Sequence, residues 1–202
     1  MMSKKPDQSP HLSTDDARRI AYGHHDDPFS VLGPHEVGGV RHITAFDPGA
    51  VRMLAICKGK DFPLAPIDGA PGVFSGAVKG SEDYTLRGED DGGQIWEFED
   101  AFRFGPVIGE MDEYLLAEGT HECIWKVLGA HVIHHEGARG THFAVWAPNA
   151  RRVSVVGDFN LWDGRRHPMR RRGTTGVWEV FVPGLGEGTV YKYDILGPVS
   201  YT

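Results

Sequence analysis

Cysteine is nearly missing from this chain: there are two in 202 residues, Cys57 and Cys123. That count does not support a disulfide scaffold and fits a reducing cytoplasm. Long apolar runs are missing as well. The opening MMSKKPDQSPHLSTDD is polar and has no signal-peptide core, so no membrane partner is expected. An excess of basic charge is also lacking. Lys and Arg number 21 against 28 Asp and Glu, a formal net charge of −7. This argues against nucleic acid and anionic membrane as partners. The chain carries no G-x-S-x-G, no P-loop and no G-x-G-x-x-G, so nothing marks a nucleophile or a nucleotide cofactor, and the expected cofactor is none.

What remains is ordinary globular material. Hydrophobic residues make up 40% and charged residues 24%, enough for one large domain or two of roughly 100 residues each. The 27 glycines and 13 prolines point to many tight turns between short strands. Residues 1–12 read as a disordered tail. In STDDARRIAYG, Ser13 and Asp16 make a capping pair and Gly23 a stop, predicting a helix over 14–22. GPVIGEMDEYLLAEG predicts a second short helix near 108–117. Most of the rest alternates at period two, as in Val177-Trp178-Glu179-Val180-Phe181-Val182.

An internal repeat organises these strands. FSVLGPH (29–35) echoes WKVLGAH (125–131), AFDPGA (45–50) echoes VWAPNA (145–150), GVFSGAV (72–78) echoes GVWEVFV (176–182), and YTLR at Tyr84 echoes YKYD at Tyr191. A period near 100 residues is too long for a solenoid unit and fits a duplicated domain. The expected fold is all-β: two tandem immunoglobulin-like β-sandwiches, with short helices at the N-terminus and in the linker. After YTLR the first copy turns through GEDDGG and returns as QIWEFED, a hairpin. The second copy reaches YKYDILGPVSYT with no return strand. The second sandwich is therefore expected to be truncated, and the chain to be the front of something longer.

HHDDPFSVLGPH, FRFGPVIGEMDEYLLAEGTH, FAVWAPNARRVSVVGDFNLWDGRRHPM and GVWEVFVPGL together resemble the amino-terminal region of bacterial glycogen branching enzymes, over about residues 15–197. The resemblance implies four parts in the parent enzyme: an amino-terminal sandwich, a glycogen-binding (isoamylase N-terminal) sandwich, a catalytic (β/α)8 barrel and a small C-terminal β domain. Here that divides the chain into a tail (1–12), the first sandwich with its leading helix (13–105), a linker with a short helix (106–124), and the glycogen-binding-type sandwich (125–202). The family cuts α-1,4 bonds and re-forms α-1,6 bonds with retention, through a carboxylate pair at barrel strand ends. No barrel motif is present, so no catalytic residue carries over and the chain alone is expected to be inactive.

The implied partners are α-glucan (glycogen and malto-oligosaccharides) and the missing barrel. Trp162 sits in a turn, Gly157-Asp158-Phe159-Asn160-Leu161-Trp162. It matches the sugar-stacking tryptophan of the family's G-x-F-N-x-W stretch, where a flat ring faces the apolar side of glucose. Asn160 beside it and Lys192 in YKY complete the candidate carbohydrate site. The alternative is a purely structural pair of domains packed on the barrel without sugar binding. Aligning the copies puts Met53 on Val153, Lys58 on Asp158 and Phe62 on Trp162, so the first copy has no such platform. Trp178 reads as core, Trp96 and Trp125 as cover for the domain junction, and Phe159 as pointing inward. Arg165-Arg166 and Arg170-Arg171-Arg172 read as a solvated strand face. The histidines of HVIHH and HHDD lack zinc spacing and read as loop or turn hydrogen-bonders, so no metal site is expected.

Overall fold

The computed structural model describes residues 12–80 and 83–197. Two compact units appear. One takes in the residues up to His25 and Phe29–Arg103, the other Asp26–Pro28 and the chain from Phe104 onward. The expected tail up to residue 11 lies outside the described residues. Leu12 is half-buried and packs on the first unit. Among the described residues no helix is long and apolar enough to cross a membrane.

The first unit opens with α1 (Thr14–Ala21). Ser13 caps it: its Oγ accepts the Asp16 amide at 3.0 Å, and its hydroxyl donates to the Asp16 carboxylate at 2.7 Å. Such a cap contributes about 1 kcal/mol. Ala17, Ile20 and Ala21 pack against Val31, Leu32, Phe46 and Val73. Seven strands follow: β1 (Gly33–Val37), β2 (Val40–Phe46), β3 (Arg52–Cys57), β4 (Lys60–Pro66), β5 (Val73–Val78), β6 (Tyr84–Glu89) and β7 (Ile95–Glu99). They form one antiparallel sheet in the order β1-β2-β5-β4-β3-β6-β7. Ile43 and Phe74 from one half share a core with Met53, Ala55 and Leu86 from the other, so the sheet curls over on itself. The β6–β7 hairpin is the one expected from GEDDGG. Trp96 packs on this core rather than serving only as junction cover, and its indole N–H donates to Asp47 Oδ2 at 3.0 Å.

The second unit contains α2 (Glu110–Glu118) and six strands: β8 (Gly129–His135), β9 (Ala138–Trp146), β10 (Arg152–Gly157), β11 (Arg170–Arg172), β12 (Val177–Pro183) and β13 (Tyr191–Leu196). Four of them form a sheet in the order β11-β12-β9-β8, and β10 pairs with β13. The Phe143 and Tyr191 rings lie 4.8 Å apart, so β9 of the first sheet faces β13 of the second. The repeat is visible in the fold. β1–β2 answers β8–β9, β3 with β6 answers β10 with β13, and β5 answers β12. One histidine role is repeated too: His35 Nε2 meets the Leu32 carbonyl at 3.1 Å and His131 Nε2 the Leu128 carbonyl at 3.0 Å. These are turn hydrogen bonds, the role read for HVIHH.

Two features of the second unit differ from a simple alternation. All six residues from Val177 to Val182 in β12 are buried. Trp178 is core as expected, but Glu179, on the opposite face, is only 1% exposed. The segment before α2 covers that face: Phe104 packs on Phe181, and Ile108 on Val177. The Glu179 carboxylate is fully engaged there. Oε2 accepts from His142 Nε2 (2.9 Å), the Ile108 amide (2.9 Å) and the Val107 amide (3.2 Å). Oε1 lies 3.2 Å from Arg172 Nε, an ion pair off the line of a good hydrogen bond. Burial pushes this carboxyl up, but the bonds from His142 and Ile108 and the Arg172 charge outweigh it and hold it below its ordinary range.

The second difference concerns the arginine run. Arg172 also reaches the Ile108 carbonyl (3.0 Å) and Glu113 Oε2 (2.6 Å), and Arg170 donates to the Phe104 carbonyl. The solvated face expected for Arg170-Arg171-Arg172 is corrected: at period two, Arg170 and Arg172 turn inward and Arg171 outward.

Candidate functional site

The stretch after β10 builds a loop rather than a strand. In the first unit β3 turns through Lys58-Gly59 directly into β4, and Phe62 lies in that strand opposite Ala55. In the second unit the corresponding place is taken by a single 3-10 turn, Asp158–Asn160. The chain then runs back beside β10, with the Val155 amide on the His167 carbonyl (3.1 Å) and the Met169 amide on the Val153 carbonyl (2.8 Å). Gly157 is required at the start of the turn, since a Cβ there would lie 2.5 Å from the Phe159 ring and 2.6 Å from the Val190 carbonyl.

Asn160 is the internal brace of this loop. It is 2% exposed, so its side chain is not on the surface. Its Oδ1 accepts the Gly157 amide (3.0 Å) and its Nδ2 donates to the Val155 carbonyl (2.9 Å). Those two backbone groups fix which end of the amide is which. Nδ2 also lies 3.0 Å from His167 Nδ1, so that ring nitrogen must accept and carries no proton. Burial first, then the neighbouring Arg166 charge, push His167 down to about 4.

The sign of the pH effect follows. A histidine whose folded pKa lies below its ordinary 6.5 leaves stability intact above that value. Stability is then lost as pH falls from there through about 4. The expected result is a His167 ring titrating near 4 by NMR, with the loop loosening over that same window. A midpoint near 6.5 would contradict the bond to Asn160.

Leu161 and Trp162 follow with φ of 58° and 59°. Left-handed backbone costs a non-glycine residue roughly 1–2 kcal/mol. Turn hydrogen bonds hold the pair in place: the Trp162 amide on the Gly157 carbonyl (3.0 Å) and the Asp163 amide on the Asn160 carbonyl (3.1 Å). Asp163 is clamped by Arg165, whose Nε and Nη2 meet its oxygens at 2.9 and 2.7 Å. The Arg165 bonds keep its carboxyl below the usual range, over a smaller opposing push from burial. Two adjacent strained residues at one turn tip are the kind of outlier that functional sites hold.

The strained turn displays the indole. Trp162 is 43% exposed, and its Nε1 donates to Asp158 Oδ1 at 2.9 Å, which limits rotation of the ring. On β13, Tyr191 and Tyr193 face the other sheet, through the Phe143 ring and the Ala144 carbonyl. At period two, Lys192 and Asp194 therefore face outward. Lys192 pairs with Val156 in the ladder, and its Nζ lies 5.8 Å from the centre of the Trp162 ring. The ring thus stands on the outer face of the β10–β13 sheet, beside the Lys192 ammonium and the Asp158 carboxylate. The structure brings Trp162 and Lys192 together and places Asn160 beneath them. Asp158 went unnoticed in the sequence, because nothing local marks an aspartate four residues before a tryptophan as its hydrogen-bond partner. Phe159, expected inward, is half-buried against the His167 ring at 5.6 Å.

Comparison with known proteins bears on this geometry directly. Residues 127–200 match the family model for carbohydrate-binding module 48 (isoamylase N-terminal domain), and residues 13–102 match alpha-1,4-glucan branching enzyme GlgB, N-terminal domain. The chain belongs to the branching enzyme family. It is 55% identical over 192 residues to the 1,4-alpha-glucan branching enzyme GlgB of Roseobacter denitrificans, covering 93% of this chain and 26% of that protein. The branching enzymes of Cereibacter sphaeroides (51% identical, 91% of this chain, 26% of that one) and Rubrobacter xylanophilus (52%, 88% and 24%) are similar. The chain spans about a quarter of the length of these branching enzymes. The Trp162 loop and Lys192 both fall within the carbohydrate-binding match.

Proposed function

We propose that this chain is the non-catalytic α-glucan-binding region of a glycogen branching enzyme, with Trp162 and Lys192 as its sugar platform. In the parent enzyme the reaction is transfer of an α-1,4-glucan segment into an α-1,6 branch. The role of this region is to hold a glucan chain for a barrel carried elsewhere in the parent enzyme, in the cytoplasm where glycogen is made. In this reading the first sandwich (13–105) supports, the linker (106–124) connects, and the second sandwich (125–202) binds.

One observation carries the reading: an indole held half-exposed on a strained turn, with Lys192 Nζ 5.8 Å from its centre. The ring supplies a flat apolar surface for one glucose face, and the ammonium supplies donors for hydroxyls at its edge. Asn160 acts from below, fixing the turn rather than touching sugar. A single exposed ring supports weak binding, because ordering a flexible glucan offsets much of the stacking energy. Migration through a glycogen-loaded native gel tests the proposal. The wild type is expected to be retarded relative to a glycogen-free gel, Trp162→Ala to run freely and Lys192→Ala to fall between. No retardation of the wild type, or equal retardation of Trp162→Ala, would leave the purely structural reading in its place.

A further inference from the structure

The second unit carries a groove that the Trp162 loop does not touch. One wall is a single face of α2, with Glu110, Glu113, Tyr114 and Ala117 at helical spacing. The other is Arg172 with Thr174 and Thr175, where β11 turns into β12. The groove is open and holds about 500 Å³, within the usual range for small-ligand sites. Tyr114 is 60% exposed, and α2 buries none of its residues, so this ring is not spent on the core. Trp146 is 62% exposed, and its indole N–H donates to the Thr175 carbonyl at 3.2 Å. A second ring therefore stands beside the same turn. Arg172 fixes Glu113 at 2.6 Å. Glu113 in turn lies so close over Gly173 that a Cβ there would come within 2.4 Å of Oε1.

We propose that this groove is a second α-glucan subsite. The inference rests on the reading that this unit takes α-glucan, but it uses different residues on a different sheet. An exposed tyrosine ring offers a stacking face. The Glu110 and Glu113 carboxylates and the Thr174 hydroxyl offer partners for sugar hydroxyls. A lining of carboxylates and hydroxyls suits a neutral polyol better than an apolar protein surface. Two weak subsites on one unit would strengthen the hold on a single long glucan through effective concentration, with no new contact at either.

Backbone amide NMR of the whole chain, titrated with maltoheptaose to millimolar concentration, separates the two sites. Gly173, Thr174 and Thr175 are expected to shift as one set and Asp158–Asp163 as another. Tyr114→Ala is expected to abolish the first set alone and Trp162→Ala the second alone. Glu110→Gln should weaken the first set several-fold while leaving the exposed helix folded. If only 158–163 move, or if Tyr114→Ala leaves the 173–175 shifts intact, the groove proposal fails and the Trp162 platform stands. If only 173–175 move, the platform fails and the groove stands. If neither set moves, both are overturned.

Discussion

Replacing Glu179 by alanine is expected to destabilise the second unit by about 3–5 kcal/mol, the usual loss when one partner is removed from a buried ion pair. The size follows from what the carboxylate serves. Its removal strands the Val107 and Ile108 amides and takes from His142 and Arg172 the carboxylate they share. Glu179→Gln keeps the shape and one acceptor oxygen, so its loss should be smaller. Tryptophan fluorescence in a urea titration reads this unit preferentially, since Trp125, Trp146, Trp162 and Trp178 belong to it and Trp96 alone to the other. A midpoint shift worth under about 1 kcal/mol for Glu179→Ala would mean that water replaces the carboxylate cheaply. Because the Glu179 pKa is held low, its share of stability is present above the ordinary carboxylate range and is lost as pH falls through the lowered value.

Asn160→Ala carries the second large effect. The amide satisfies the Gly157 N–H and the Val155 carbonyl, both at the end of a buried strand. Each buried group left unmatched costs about 1–3 kcal/mol, so roughly 2–6 kcal/mol is expected in total. The functional consequence separates this residue from a sugar contact. Glycogen retardation should be lost although Trp162 and Lys192 remain, because the left-handed turn that presents the ring is no longer held. The readout is a urea midpoint set beside the glycogen gel. Normal stability with lost retardation would instead make Asn160 a direct ligand of sugar. Asn160→Asp is expected to be worse near neutral pH, since it sets an acceptor against the Val155 carbonyl and the lone pair of His167. It should recover partly in acid, where a protonated His167 can donate to the new carboxylate. That is the reverse of the wild-type trend.

Much of this molecule was readable in one dimension. Ser13 and Asp16 three apart gave the start of α1, because a cap is a local hydrogen bond. GEDDGG between two β-rich runs gave the β6–β7 hairpin for the same reason. The repeat gave the duplicated architecture, and the family resemblance led to Trp162 and Lys192. What escaped were partnerships between residues far apart in the chain. Alternation marked Trp178 as core and left Glu179 unassigned, and residues 104–108 bury it on the opposite face. The arginine run read as surface because its partners, Phe104, Ile108, Glu113 and Glu179, lie in other elements. Asn160 read as a neighbour of sugar because a turn asparagine is polar, and only its two backbone partners reveal a brace.

The sequence by itself determined the strand pattern, the two-fold repeat and the tryptophan placed in the turn after β10. These depend on periodicity and on turn chemistry within a few residues. Only the tertiary structure decided which polar side chains are buried and which are presented. Burial is a property of what packs against a face, and the covering segment for β12 comes from some 70 residues earlier in the chain. The same holds for Lys192: the β10–β13 ladder, not its place in YKY, sets its ammonium beside Trp162.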